Sequence, residues 1–209
     1  MGVKLPTGNA YVTVEFHRRT ADGRDSTVIK PVDQSIQLGD GGWGFVLETQ
    51  GFRKLGRSAS FYFNAFYLFN PQDVNQTPAR SPLATSGDNV IINYYSIADQ
   101  FMARFGVNYQ ILRHQGFFAN LGARAEGIPA RDLIGKSNGF RRPGYIVSVE
   151  PGLNYQKGHS TFVLNVPVAL YRNRVKSVYD MADPTGQRQG DASFADYLIN
   201  FTFLYRIGQ

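Results

Sequence analysis

The stretch QFMARFGVNYQILRHQGFFANLGARAE, residues 100–126, decides the fold, because its two halves alternate apolar and polar side chains around a short turn. In the first half the odd positions from Phe101 to Ile111 are mostly apolar, and the even positions from Gln100 to Gln110 are mostly polar. The pattern resumes after the turn Arg113-His114-Gln115-Gly116. A period of two is that of a β-strand with one apolar face. The stretch therefore predicts an antiparallel β-hairpin.

The same alternation recurs on both sides of this hairpin. One further hairpin is predicted from Trp43 to Phe69 around the turn Leu55 to Ser58, and another from Tyr145 to Leu170 around Lys157-Gly158-His159. A last alternating segment runs from Tyr197 to Ile207, and a partial strand covers Gly2 to Leu5. Together these segments predict about eight strands, an even number that suits a closed up-and-down barrel.

Composition narrows the class of protein. The 209 residues contain no cysteine, which excludes a disulfide scaffold and a thiolate metal site. No apolar run approaches the roughly 18 residues that a membrane helix needs, so any membrane span has to be a strand. Aromatic residues make up 14% of the chain and suit strands.

Strand and loop lengths favour a membrane barrel. The three turns are short, whereas four connections are long: Gly8 to Gly42, Asn70 to Ala98, Ile128 to Gly144 and Arg172 to Ala192. Short turns on one side and long loops on the other are typical of outer-membrane barrels, as are aromatic residues near strand ends. We therefore predict an all-β chain, one domain over residues 1–209, that forms an up-and-down antiparallel transmembrane β-barrel in a bacterial outer membrane.

The strand phases predict which side chains face which way. We expect an outward, lipid-facing set of Phe101, Phe105, Leu121, Val147, Val149, Leu164 and Phe201. We expect a lumen-lining set of Glu48, Arg104, Asn120, Arg124, Glu126 and Glu150. The turn should place Arg104 opposite Arg124 and Glu126, which favours a salt bridge. In a narrow barrel these charges would pair into a plug, and in a wider one they would line a pore.

Residues Gly2-Val3-Lys4-Leu5-Pro6-Thr7-Gly8 resemble the strand-to-loop signature of the outer-membrane transporter family of the MetA-pathway of phenol degradation. The resemblance implies a porin-like barrel with a signal peptide and a transport role. No apolar signal segment precedes this motif, and only a few residues form the first strand. We therefore expect strand residues upstream of Met1. The end Ile207-Gly208-Gln209 also departs from the aromatic ending usual for such barrels.

The expected function is passive passage of small solutes, and the solute and oligomeric state stay open. The alternatives are a structural or binding barrel with a plugged lumen and a soluble lipocalin-like carrier of an apolar ligand. The expected partners are outer-membrane lipids, including lipopolysaccharide, whose phosphates would meet basic loop residues. Those residues are Arg18, Arg19, Arg24, Lys30, Arg131, Lys136, Arg141, Arg142, Arg172, Arg174 and Lys176. The basic residues are scattered and form no nucleic-acid recognition module.

Catalysis and cofactor binding find little support in the sequence. The three histidines, His17, His114 and His159, are spread over loops and turns, and none is spaced to form a site with a serine and an acid. No stretch has the ligand spacing of a metal site. We therefore expect no enzyme activity, no cofactor and no metal.

Overall fold

The computed structural model describes residues 1–79, 92–112, 116–190 and 192–208. Its strands in chain order are β1 (Gly2–Lys4), β2 (Thr13–Arg19), β3 (Asp25–Pro31), β4 (Gly44–Lys54), β5 (Ala59–Phe69), β6 (Val74–Pro78), β7 (Tyr94–Ser96), β8 (Gln100–Leu112), β9 (Phe117–Ile128), β10 (Gly144–Lys157), β11 (Ser160–Asn165), β12 (Val168–Arg174) and β13 (Asn200–Tyr205). A 3-10 turn covers Gln34–Ile36, and the short helix α1 covers Val178–Met181. Within the described parts of the chain, no helix is long and apolar enough to cross a membrane.

One large antiparallel sheet organises the chain. Its order is β1-β4-β5-β8-β9-β10-β11-β13, and β12 pairs with β10 beside β11. Apart from β12, each strand pairs with the next large-sheet strand in sequence, as the three predicted hairpins require. The sheet forms a half-barrel, and β1 and β13 are its two edges among the described residues. The prediction of an all-β antiparallel chain is confirmed.

The predicted strands are found where the alternation places them, and β5 matches its predicted bounds at both ends. The turn after β4 is closed by the amide of Leu55, which donates to the carbonyl of Ala59 at 2.8 Å. Gly56 and Gly158 supply the positive φ angles, 93° and 57°, that tight turns need. The turn predicted at Arg113-His114-Gln115-Gly116 includes residues 113–115, which lie outside the described residues.

Two strands differ from their predictions. The last predicted segment, Tyr197 to Ile207, is a strand only over Asn200–Tyr205. The segment Phe162 to Leu170 was expected to be continuous, but it divides into β11 and β12 around Val166 and Pro167. Proline has no amide hydrogen to donate to a neighbouring strand, so the regular pairing breaks there. The amide of Val166 still donates to the carbonyl of Pro151 at 2.9 Å, so both pieces run along the same edge of β10.

The long connections, which were predicted to be loops, contain further strands and a short helix. Strands β2 and β3 pair along seven positions, from Thr13 with Pro31 to Arg19 with Asp25. Strands β6 and β7 form a second small sheet. These strands are short and carry many polar residues on both sides, so their alternation does not stand out. The helix α1 begins with a capping box formed by Ser177 and Asp180.

The two faces of the large sheet have opposite character, and the apolar one is the more exposed. Phe105, Leu121 and Phe201 on this apolar face are 57%, 60% and 68% exposed. Cross-strand pairs keep the same face apolar along the sheet, for example Phe63 with Phe105 and Leu164 with Phe201. The separation of faces by strand phase is confirmed.

The largest group of buried apolar residues lies outside the large sheet. It contains Val32, Ala79, Ile92, Tyr95 and Ile97. These residues belong to segments 32–42, 70–79 and 92–99. Segment 129–143 packs against them through Phe140 and Arg141. We call these four segments, at the long-loop end of the sheet, the loop cap. The Tyr95 hydroxyl joins two of these segments by donating to the carbonyl of Val32 at 3.0 Å.

Candidate functional site

The polar face of the half-barrel holds a cluster of charged side chains at its centre, on β8, β9 and β10. Arg104 and Arg124 are direct cross-strand partners, and Arg124 is opposite Ser148. Two like charges placed opposite each other on one face repel. Carboxylates on the same face therefore have to neutralise them.

Glu150 supplies that neutralisation. Its side chain is 1% exposed and lies 3.3 Å from the Arg104 guanidinium and 3.6 Å from that of Arg124. Glu126 receives a hydrogen bond of 2.5 Å from Arg124. Two positive and two negative side chains thus form one network without net charge, which we call the charge cluster.

The expected salt bridge of Arg104 has a different partner from the one that the hairpin suggested. Met102, and not Arg104, pairs with Glu126 across the hairpin. Arg104 instead binds Glu150, two strands away on β10. The cross-strand partner of Glu150 on the intervening strand β9 is Gly122, so no β9 side chain stands directly opposite the carboxylate.

Two glycines leave room for the side chain of Tyr62 beside the charge cluster. Tyr62, Gly106, Gly122 and Glu150 follow one another across β5, β8, β9 and β10. A Cβ atom on Gly106 or Gly122 would lie 2.6 or 2.5 Å from the Tyr62 hydroxyl. The tyrosine therefore lies flat over two glycines and points towards Glu150. Tyr62 was not among the predicted site residues, although its even position within β5 places it on the polar face.

Asparagines form bridges of the same kind beside the charge cluster. Asn120 donates to Asn165 at 2.9 Å across Gly152, and Asn154 donates to Asn108 at 3.1 Å. A Cβ atom on Gly152 would lie 2.2 Å from the amide oxygens of both Asn120 and Asn165. Asn120, predicted to line the polar face, is therefore held against the wall of the sheet.

Glu48 shares the polar face but lies apart from the charge cluster. It is exposed on β4 and accepts a hydrogen bond of 2.9 Å from the Asn64 amide. Of the six predicted residues, the structure thus brings four together in the charge cluster: Arg104, Arg124, Glu126 and Glu150. Asn120 lies beside the cluster on β9, and Glu48 lies away from it on β4.

The loop cap fixes two of the basic residues that were expected to meet lipid phosphates. Arg141 forms two hydrogen bonds with Asp132, of 2.7 and 2.6 Å, and the two side chains are 1% and 0% exposed. Arg142 binds both carboxylate oxygens of Asp33 at 2.8 Å. The Arg142 guanidinium holds the pKa of the Asp33 carboxyl well below its usual range. Arg141 is therefore unavailable to a phosphate, contrary to the sequence prediction.

Buried acceptors in the cap bind backbone amides. Asp99 accepts from the amides of Asn70 and Leu133 at 2.6 and 2.9 Å and from the Tyr67 hydroxyl at 2.9 Å. The end of β5 and the segment of Leu133 are thereby tied to the start of β8. This role could not be read from the sequence, because its partners are about 30 residues away along the chain.

The described residues offer no group of three or more histidine, acidic or cysteine side chains that could hold a metal ion. His17 lies on β2, where its Nδ1 is 3.0 Å from the Thr27 hydroxyl, and His159 lies in a turn beside Tyr205. His114 lies outside the described residues. No family model and no curated protein matches the sequence of the chain.

Proposed function

We propose that this half-barrel is part of the wall of a closed transmembrane barrel in a bacterial outer membrane and that the barrel passively conducts small solutes. The main support is the inverted polarity of the sheet. Its apolar face is exposed, whereas Glu150, Asn120 and Ser148 on its polar face are buried. Large exposed apolar surfaces indicate contact with a partner or a membrane. A soluble lipocalin-like barrel would have the opposite arrangement, with its apolar side chains inside.

The position of the charge cluster supports an open lumen. Arg104 reaches Glu150 across one intervening strand, and Tyr62 lies over Gly106 and Gly122. These contacts run along the sheet and keep the side chains close to its wall. Opposite charges on the wall of a pore influence which ions pass.

A plugged barrel is the second candidate, and the loop cap favours it. The cap has its own apolar core and is fastened by the Arg141–Asp132 and Arg142–Asp33 pairs. A cap of this kind at one end of the sheet could close the lumen without any contribution from the charge cluster. Conductance measurements separate the two candidates.

The partners of the proposed barrel are outer-membrane lipids on the apolar face. The hairpin of β2 and β3 carries exposed Arg18, Arg19 and Arg24 near its tip. Guanidinium groups bind phosphate with two parallel hydrogen bonds, so this tip suits the phosphates of lipopolysaccharide. The resemblance of residues 2–8 to an outer-membrane transporter family agrees with this setting.

Cysteine labelling tests the orientation directly, because the chain has no cysteine of its own. Phe105→Cys and Val149→Cys place a thiol on the apolar face, and Leu38→Cys places one on the loop cap, where Leu38 is 75% exposed. In lipid bilayers a membrane-impermeant thiol reagent should modify Leu38→Cys at least tenfold faster than the other two. After unfolding in urea the three rates should converge. Equal rates in the bilayer would contradict the membrane proposal.

A further inference from the structure

We propose that the cavity between the loop cap and the polar face binds an uncharged small molecule that combines an apolar ring with hydroxyl groups. The inference rests on the proposed function, because it treats the polar face as the side along which solutes travel. The cavity has a volume of about 560 Å³. Ligand-binding cavities typically measure about 300 to 1,000 Å³.

The walls of the cavity come from both parts of the molecule. Phe66 and Ile146 contribute apolar surface from β5 and β10, and Gln100 contributes an amide from the start of β8. On the other side Gln34 and Ser35 contribute polar groups from the 3-10 turn of the cap. A ligand in this space would contact an apolar wall and several neutral hydrogen-bonding groups at once.

The aromatic side chain of Phe194 adds to the apolar part of the cavity wall. Phe194 borders the cavity and packs against Gly144, where a Cβ atom would lie 2.5 Å from the edge of its ring. Gly144 begins β10, so the ring lies at the point where the sheet meets the segment that precedes β13. Together with Phe66 and Ile146 it offers apolar contact to a ring-shaped ligand.

Charged side chains also border the cavity, and each has an opposite charge within the protein. The pairs are Arg141 with Asp132, Arg142 with Asp33, Glu126 with Arg124, and Asp40 with Lys4. An ionic ligand would lose hydration on entering, and the charges that it met would already be neutralised. Burying an ion without such compensation is costly. An uncharged ligand avoids this cost and can still use the amides and hydroxyls.

Equilibrium binding of two matched probes tests the ligand class. The full chain, folded in detergent micelles, is titrated with phenyl β-D-glucopyranoside and with phenyl β-D-glucuronide, and protein-free micelles provide the reference. The probes differ only where a hydroxymethyl group in the first is a carboxylate in the second. We expect saturable binding of the glucoside and binding of the glucuronide at least tenfold weaker. Equal or tighter binding of the glucuronide, or no binding of the glucoside, would overturn the proposal.

Two variants locate the binding site. Ile146→Trp adds volume inside the cavity and should weaken glucoside binding at least tenfold. Ile29→Trp makes the same change on β3, where Ile29 is exposed, and should leave binding unchanged. Circular dichroism spectra of both variants should match that of the unchanged protein. If well-folded Ile146→Trp binds the glucoside normally, or if Ile29→Trp weakens binding equally, the cavity is not the site.

Charge removal provides a second, independent check. Glu126→Gln removes a negative charge from the cavity wall and leaves its partner, the Arg124 guanidinium, with one fewer carboxylate, so glucuronide binding should increase several-fold relative to glucoside binding. A failure to gain glucuronide binding would contradict the role given to charge neutralisation. Conductance is measured separately: a protein that binds the glucoside but is silent in bilayers would contradict the channel alone, and a conducting protein without binding would contradict this inference alone.

Discussion

The Tyr62 hydroxyl lies 2.5 Å from the place that a Cβ atom would take on Gly122. The same Cβ atom would lie 2.6 Å from the backbone carbonyl oxygen of Phe105 on the neighbouring strand. The tyrosine side chain could move, but the backbone oxygen is fixed by the sheet. Gly122 therefore allows the strands to approach closely and allows Tyr62 to cover them.

Replacement of Gly122 by alanine should destabilise the sheet. Overpacking at a site with a fixed neighbour typically costs about 1 to 3 kcal/mol. The free energy of unfolding, measured in urea with the protein in micelles, should fall by that amount. Gly2→Ala is the control, because a Cβ atom there meets only the Val46 side chain at an ordinary 3.7 Å. Equal effects of the two substitutions would show that the close approach at Gly122 is unimportant.

Replacement of Glu150 by glutamine should be strongly destabilising. Loss of the buried carboxylate leaves the Arg104 and Arg124 guanidinium groups facing each other with Glu126, on Arg124, as the remaining negative partner in the charge cluster. Breaking a buried ion pair costs about 3 to 5 kcal/mol. Glu48→Gln makes the same chemical change at an exposed position and should alter stability by no more than about 0.5 kcal/mol. Urea unfolding of both variants provides the comparison. A loss below about 1 kcal/mol for Glu150→Gln would indicate that the charge cluster is not held together by this residue.

An arginine should be tolerated differently on the two faces of the sheet. Val149 lies on the apolar face, and an arginine on the lipid-facing side of a barrel near the bilayer midplane costs about 2 to 4 kcal/mol. Val163 lies on the polar face, opposite Asn154 and Thr202. Folding into lipid bilayers should therefore be weakened much more by Val149→Arg than by Val163→Arg. The reverse order would contradict the proposed placement in a membrane.

The Asp33–Arg142 pair should make the loop cap sensitive to acid. Arg142 lowers the pKa of Asp33 in the folded protein, so the ionised form is favoured by folding. The pair therefore contributes stability at pH values above the ordinary carboxyl pKa of about 4, and this contribution is lost as the pH falls towards the lowered value. Protease susceptibility of the cap should rise on acidification.

The comparison of Asp33→Asn with the unchanged protein isolates this effect. The asparagine variant should already be more susceptible at pH 7 and should change less between pH 5 and pH 2. Asp22→Asn, at the exposed tip of the β2–β3 hairpin, is the charge-matched control and should behave like the unchanged protein. If Asp33→Asn keeps the full response to acid, another carboxyl group is responsible.

The alternation of residues 100–126 and of the similar segments on both sides was sufficient to predict the strands of the large sheet, because a side-chain period of two depends only on local backbone geometry. It also placed Arg104, Arg124, Glu126 and Glu150 on one face. It could not predict the partner of Arg104, because glycines at two cross-strand positions let side chains contact each other over an intervening strand. That contact depends on the register of three strands together.

The loop cap could not be predicted from the sequence, for a different reason. Tyr95 and Ile97 are almost completely buried, yet they lie in a short segment without clear periodicity. Asp99 and Asp132 are acidic residues that the sequence would place at a solvated surface. Their burial depends on Arg141 and on backbone amides from segments far apart in the chain. Such tertiary compensation leaves no local signal in the sequence.

The charge cluster should determine ion selectivity if the proposed barrel conducts. Arg104→Glu combined with Arg124→Glu replaces two positive charges on the polar face with negative ones. The local potential in a confined and weakly screened space then changes sign, so the reversal potential in planar bilayers should shift towards cation selectivity. Gln50→Glu and Gln50→Lys change the charge of the polar face without disturbing the charge cluster, because Gln50 is exposed on that face and lies outside the cluster. These two single variants should shift selectivity in opposite directions.

Arg53→Glu combined with Arg57→Glu is the control for total charge. This pair changes the net charge by the same amount, but Arg53 lies in the phase of the apolar face and Arg57 lies in the turn after β4. Its reversal potential should stay close to that of the unchanged protein, because charges away from the polar face are screened by salt over about 10 Å at 0.1 M. Equal shifts from the two double variants would mean that the charge cluster does not line the path of the ions. Conductance should also be measured for Arg142→Ala, in which the loop cap is weakened. If neither this variant nor the unchanged protein conducts ions in planar bilayers, a structural barrel without transport is favoured.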